Sequence, residues 1–223
     1  MDLACLPAAV WENPTLMSKL PAASGDYTAS DVLAPQFWTG RAERPPPGLD
    51  VACTKIAVDF QNLQRASADE SIRRSLAILR EATSADAAFS AFFDATGSHI
   101  ESVMVAGGAF AQMHPEALRG VPLNRLSYLA GRNDHLRMTE FRDTATPRPE
   151  QAHDAGLLAE LSIGSALLVS FRIRNKPAGL LGIAFGLPRP SFDVNLQLLL
   201  KLLGSSLAAG LERVRLSLSL ERL

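Results

Sequence analysis

Ser165-Ala-Leu-Leu-Val-Ser-Phe-Arg172 and Gly179-Leu-Leu-Gly-Ile-Ala-Phe185 are the two stretches on which the fold turns. Each is a nearly continuous apolar run of strand length, the composition of a strand covered on both faces in the middle of a sheet. Arg174-Asn-Lys-Pro177 between them has turn chemistry, so the two runs read as antiparallel neighbours in a hairpin. Downstream, Pro188 and Pro190 interrupt the chain before a leucine-rich stretch with helical spacing. Upstream, Pro149–Leu161 reads as a helix. It opens with Pro149 and Glu150, since a first turn tolerates proline and favours negative charge, and Gly164 is its expected stop.

Further toward the N-terminus, Ala87-Ala-Phe-Ser-Ala-Phe-Phe93 and His99–Val105 form a second hairpin around the turn Asp94-Ala-Thr-Gly97. Gly97 is placed there to take a positive φ. Two helices precede it. Ile56, Phe60 and Leu63 share one helical face, and Ile72, Leu76 and Leu79 share another. Ser67-Ala-Asp-Glu70 reads as a capping box at the start of the second. Residues 107–148 are irregular, punctuated by Gly107, Gly108, Pro115, Gly120, Pro122, Gly131 and Pro147. Short helices are expected near Pro115–Arg119 and Leu123–Ala130, then a strand near Met138–Asp143. A connection of that length inside a domain is usually functional or mobile.

Three zones follow from this reading. Residues 1–53 form a Pro/Ala-rich leader, read as partly disordered, although Trp11, Phe37 and Trp38 also suit a segment that docks. Residues 54–207 form the folded domain. Residues 208–223 begin a coiled-coil linker that leads to a further domain. In the last helix, Leu196, Leu200, Leu203 and Leu207 keep a four-three-four spacing, and the seam continues through Leu211, Val214 and Leu218. A helix over 193–223 spans about 46 Å at about 1.5 Å per residue, longer than a small domain needs. The small residues from Gly204 to Gly210 let another helix approach closely. Gly204, Leu207, Ala208, Leu211, Val214 and Leu218 are therefore the expected dimer and signalling seam.

Bulk composition sets the outer limits. Hydrophobic residues make up 47% of the 223 residues and charged residues 20%, enough for a sizeable core. A formal net charge of −1 lacks the concentrated positive field that nucleic acid or an anionic membrane requires. Cys5 and Cys53 cannot form a disulfide framework, both read as lying outside the core, and a reducing compartment follows. There is no basic region ahead of an apolar run at the N-terminus. Lys201, Gly204, Ser205 and Ser206 break the leucine-rich stretch as a membrane span. The expected location is the cytoplasm.

The stretch Leu157-Leu-Ala-Glu-Leu-Ser-Ile-Gly-Ser-Ala-Leu-Leu-Val-Ser-Phe171, followed by Gly179-Leu-Leu-Gly-Ile-Ala-Phe185, resembles the GAF domain family. The resemblance covers about residues 55–207. It implies an α+β fold: a central antiparallel sheet, terminal helices on one face, and an irregular segment with short helices over a small-molecule pocket on the other. It also implies a sensory or dimerising module of a larger signalling protein. The output domain in cis would be a diguanylate cyclase, a cyclic-di-nucleotide phosphodiesterase or a histidine kinase. The cyclic-nucleotide branch carries Asn-Lys, Phe and Asp-Glu after the last strand. Here Phe192 fits, whereas Pro188-Arg189 and Asn195-Leu196 stand at the other places, and Asn175-Lys176 falls before that strand. Bilin-binding members attach their chromophore through cysteine, and members reducing methionine sulfoxide use cysteines within the domain. Residues 54–223 contain none, so neither a covalent bilin nor that catalysis is expected.

Four histidines, His99, His114, His135 and His153, show no metal-ligand spacing, so neither metal nor haem is expected. Phe110, Met113, Tyr128, Met138 and Phe141 are the candidate cavity lining. His114, His135, Arg132 and Arg172 are the candidate polar groups for a ligand of unknown identity. No Gly-x-Ser-x-Gly elbow or Gly-Lys-[Ser/Thr] loop occurs, and Glu116-Ala-Leu118 carries no catalytic pattern. Three readings stand: a ligand-sensing, dimerising domain; a ligand-free scaffold for dimerisation or docking; and a small enzyme working from 107–148 with Asp134 and His135.

Overall fold

Residues 48–107, 118–132 and 134–220 are described by the structure, a computed structural model, with side chains to Ser217 in the last helix. Residues 1–47 of the leader, with Trp11, Phe37 and Trp38, the stretch with Phe110, Met113 and His114, and the Leu218 side chain lie outside the described residues. The elements are α1 (Leu49–Gln61), α2 (Ala68–Thr83), β1 (Ala87–Phe93), β2 (Ile100–Ala106), α3 (Ser127–Ala130), β3 (Met138–Phe141), α4 (Ala152–Glu160), β4 (Ser165–Ile173), β5 (Lys176–Phe185) and α5 (Val194–Leu220). Short 3-10 turns precede α2, α3 and α4.

The two apolar runs are β4 and β5, and they occupy the middle of a five-stranded sheet ordered β2-β1-β5-β4-β3. Every pairing is antiparallel. The side-chain alternation divides the core in two. Leu167, Val169, Phe171, Leu181 and Ile183 point to one face, where Ile56 and Phe60 of α1, Leu76 of α2 and Leu203 and Leu207 of α5 close over them. Phe89, Ala166, Leu168, Leu180 and Ala184 point to the other, under Leu129 of α3 and Ala155 and Leu158 of α4. Burying Leu181, Ile183 or Phe185 contributes roughly 1.5–3 kcal/mol each. Because neighbouring residues serve opposite faces, a register slip of one residue would exchange the two cores.

The β4–β5 turn is tighter than Arg174–Pro177. Arg174 (φ 49°) and Asn175 (φ 64°) both adopt left-handed backbone, as a two-residue primed turn requires. Pro177 is thus inside β5, tolerated because the register shifts at Phe171/Arg172 opposite it. Gly182 pairs with Phe89 and Leu168. A Cβ on Gly182 would lie 2.9 Å from Phe89 Cζ, so the Phe89 ring already fills the space above the glycine. That space is not left for a ligand.

Four local expectations change. The capping box does not form: Ser67 closes the 3-10 turn Arg65–Ser67 with φ −126° and ψ 10°, not the extended geometry of a cap. Its side chain makes no cap hydrogen bond. Glu70 pairs with Arg74 at 2.7 Å instead. α1 starts at Leu49 after Gly48 (φ 92°), which brings Cys53 into the helix and into the core, fully buried. The end of α4 is turned by Ser162 (φ 55°) rather than by Gly164. Gly164 is needed because a Cβ there would lie 2.5 Å from the Gly186 carbonyl oxygen.

Asp193 caps α5, its carboxylate accepting the N–H groups of Asn195 at 2.7 Å and Leu196 at 3.2 Å. The helix then runs alongside α1 in the same direction. Phe60 lies against Gly210, and the Leu63 carbonyl accepts from Arg213 Nη2 at 3.4 Å. Val194–Ser217 is long and apolar enough, by length and composition, to cross a membrane, with a mean hydropathy of 1.4. In this fold its Leu200–Leu203–Leu207 side is core.

Candidate functional site

The face of the sheet opposite α1 and α5 gathers part of the expected ligand set. Tyr128 projects from the one-turn helix α3 and sits edge-on to Phe141 of β3, with ring centroids 6.0 Å apart at 73°. The Arg132 guanidinium lies 4.7 Å from the centre of the Tyr128 ring on the same short segment. Phe141 is fully buried, whereas Tyr128 and Arg132 are half-exposed. Aromatic floor, phenol and cation therefore adjoin, an arrangement suited to a flat or anionic group.

A residue not singled out from the sequence holds this group in place. Asp154, on the first turn of α4, is completely buried. Its carboxylate accepts the Leu129 N–H at 2.9 Å and the Tyr128 N–H at 3.3 Å, capping α3 from another helix. A four-residue helix has no stability of its own, so it depends on such tertiary support. The available signal was an acid four residues before the buried Leu158, on the apolar side of its helix.

The remaining candidates are placed elsewhere. Met138 packs with the helix-side core, since it alternates with Phe141 along β3. His135 is exposed and its Nδ1 accepts the Arg172 N–H at 3.2 Å. The Arg172 guanidinium donates to the Asn175 carbonyl, tying off the β4–β5 turn. Asp134 pairs with Arg137 at 3.1 Å, so Asp134 and His135 have separate partners and do not form an acid–base pair. Ser170 donates to the Asp134 carbonyl and thereby fixes this loop on β4.

The seam along α5 is filled from within the chain. Leu207 and Ala208 are core residues, and Leu211 and Val214 pack against that core. A Cβ on Gly204 would lie 3.0 Å from Val169 Cγ1. One on Gly210 would lie 1.9 Å from the Phe60 carbonyl oxygen. Gly204 thus sits on β4, and the close helix that Gly210 admits is α1 of the same molecule. The exposed apolar stripe is a different one: Val194, Leu198, Leu202 and Leu216 on α5; Val51 and Val58 on α1 are exposed as well.

The titratable groups add little chemistry. Burial, reinforced by Asp50, pushes the Cys53 thiol up to about 11, so it stays protonated and unreactive. It also lies on the helix side, remote in sheet face from Tyr128. Asp94 in the β1–β2 turn is held below the usual carboxylate range by the Thr96 hydroxyl, then by the Ser98 N–H. Among the described residues no group of three or more His, Cys, Asp or Glu could hold a metal ion. Two open concavities also lie on the helix side. One of about 510 Å³ adjoins Leu63, Arg213 and Val214, and one of about 260 Å³ adjoins Ile72, Met104 and Leu211.

Neither a protein-family model nor a curated protein matches the sequence. Solved structures do match the fold. The phycocyanobilin-bound GAF domain of a cyanobacterial phytochrome superposes with a TM-score of 0.57 at 14% identity, covering 76% of this chain and 96% of that one. A phycoerythrobilin-bound GAF domain, also from a cyanobacterial phytochrome, gives 0.56 at 14% identity, with 76% and 97% covered. A far-red absorbing dark state with bound biliverdin IXa gives 0.56 at 18% identity, with 74% and 99% covered. The five-stranded sheet, the helices α1, α2 and α5 on one face and the short helices on the other are thus one shared architecture: the chain has the fold of a GAF domain.

Proposed function

We propose that this chain is a non-catalytic sensory GAF domain of a cytoplasmic signalling protein. It takes a small molecule on the Tyr128–Arg132–Phe141 face and passes the outcome along α5 to an output domain in cis. The observation that carries this reading is that α5 is at once part of the core, through Leu200, Leu203 and Leu207, and continuous to Leu220. A rearrangement of the domain therefore has a rigid element through which to leave it. The three solved structures named above hold phycocyanobilin, phycoerythrobilin and biliverdin IXa. In this chain Cys53 is buried and protonated on the opposite side of the sheet, so a bilin would be held without a bond to that residue. By resemblance, the output is a diguanylate cyclase, a cyclic-di-nucleotide phosphodiesterase or a histidine kinase.

A homodimer fits the same reading, with the exposed stripe rather than the buried seam as its contact. Val194, Leu198 and Leu202 are 66%, 57% and 47% exposed and recur every four residues, so they form one apolar stripe along the helix.

The test is a thermal-shift series with biliverdin, nucleotides, aromatic acids and fatty acids. A ligand selective for the native state raises Tm with concentration, by an amount set by the ratio of its concentration to Kd. Tyr128→Ala with Arg132→Ala should remove the shift. Ligand response unchanged in that variant would refute the assigned face, and no response to any class would favour a scaffold. For the dimer, sedimentation of wild type against Leu198→Glu/Leu202→Glu should show dissociation. A monomer in both would refute it.

A further inference from the structure

The short edge strand β3 touches both sides of the molecule within two consecutive residues. Phe141 faces away from α5, fully buried against Tyr128. Glu140 faces α5, where its Oε1 accepts from Gln197 Nε2 at 2.8 Å and its Oε2 accepts from Arg142 Nε at 2.9 Å. Its backbone carbonyl accepts from the buried Gln151 side chain at 2.8 Å, just ahead of α4. Gln197 in turn reaches the Phe192 carbonyl at 3.2 Å, in the segment entering the helix. Glu140 therefore joins β3, the 3-10 turn before α4 and the first turns of α5.

Pleat geometry supplies the coupling. Successive side chains of a strand stand on opposite faces, so a roll of the strand moves Phe141 and Glu140 in opposite directions. Among the described residues β3 pairs with β4 alone and has only four residues, which makes it the strand there with the fewest ladder bonds resisting a roll. The Glu140 side chain is 20% exposed; its charge-assisted hydrogen bond with Gln197 is partly shielded, whereas the one with Arg142 is open to solvent.

We propose that β3 acts as a rocker between the Tyr128 face and the start of α5, with Glu140 as the positioning residue that transmits its movement. The use of this device for sensing rests on the function proposed above. The mechanical coupling does not, and it is tested without any ligand. Amide hydrogen exchange is measured on the full chain for wild type, Phe141→Leu, Glu140→Ala and the double variant. Amides of residues 56–60 in α1 serve as the reference for any change in global stability.

Phe141→Leu should speed exchange of residues 197–201 by about five-fold relative to that reference, the change produced by loss of about one hydrogen bond. Glu140→Ala should do the same, and the double variant should exchange no faster than either. Glu140→Gln, which keeps an acceptor for Gln197, should restore the slow exchange. Multiplying effects in the double variant, or unchanged 197–201 exchange in Phe141→Leu, would overturn the relay. So would Glu140→Gln behaving as Glu140→Ala. Failure of ligand binding with the relay intact would instead count against the sensory reading alone.

Discussion

Gly210→Ala asks the most of the packing between α1 and α5. The new Cβ would stand 1.9 Å from the Phe60 carbonyl oxygen and 3.0 Å from its carbon. Both atoms are α1 backbone, so no side-chain rotamer relieves the overlap. Ordinary contact begins at 3.4 Å, and the helices must part by roughly 1.5 Å at this point. Overpacking of this kind costs about 1–3 kcal/mol. Alanine returns about 0.8–1.0 kcal/mol of helix propensity over glycine. The parting also loosens Leu63 and Val214, so the net expectation is about 1–2 kcal/mol of destabilisation. Gly156→Ala is the internal control. It lies inside α4, is exposed, and a Cβ there meets no described residue within 4 Å. Here the propensity term acts alone, stabilising by about 0.5–1 kcal/mol. Urea unfolding followed by circular dichroism should move the midpoint in opposite directions for the two variants at unchanged m. Scanning calorimetry should lower Tm by about 2–8 °C for Gly210→Ala. A neutral or stabilised Gly210→Ala, beside a normally stabilised Gly156→Ala, would refute the helix contact.

Three further outcomes follow from single groups. Cys53, buried and raised to about 11, should resist iodoacetamide in the native protein at pH 8 and react only as fast as the chain unfolds; prompt alkylation would contradict its burial. Asp94 has its folded pKa below the ordinary 3.8, so its contribution to stability is present above that value and is lost as pH falls through the folded one. Carboxyl NMR should show Asp94 still ionised below pH 3.8, and Thr96→Val should move its titration upward; identical titration in both proteins would count against the turn geometry. Asp154→Ala leaves two N–H groups of α3 without their acceptor, for a loss of about 1–3 kcal/mol. Exchange at Tyr128 and Leu129 should rise more than exchange across β4, and a uniform rise would assign Asp154 to global stability only.

The β4–β5 hairpin was readable from sequence because its apolar runs bury both faces, and few other structures use such runs at strand length. The β1–β2 turn was readable because Gly97, at φ 72°, does what glycine alone does without steric cost. Contacts between distant residues left weaker traces. Asp154 looks from sequence like one more acid in a helical first turn, and only the fold brings Tyr128 and Leu129 to it. Cys53 was misplaced because Gly48 opens the helix with left-handed backbone, where a side-chain cap would have announced it. Glu140 gave no signal, since its partners Gln197 and Gln151 are distant in sequence.

The small residues between Gly204 and Gly210 explain why the helix seam was ambiguous. Close packing requires the absence of side chains, and that absence is the same whether the neighbouring helix comes from the same chain or another. What separates the cases is the rest of the helix circumference. Leu200, Leu203 and Leu207 are taken by the sheet and α1, which leaves Val194, Leu198 and Leu202 on another side, largely in water. A helix apolar on two sides has more to bury than its own domain covers. In the proposed dimer, a second copy would therefore meet α5 along the Leu198–Leu202 side. The Leu207 side would remain with the sheet. In the proposed dimer, such a division would let one helix follow the core along one side and hold the second copy along the other, with Gln197 and Glu140 at the end where the two sides begin.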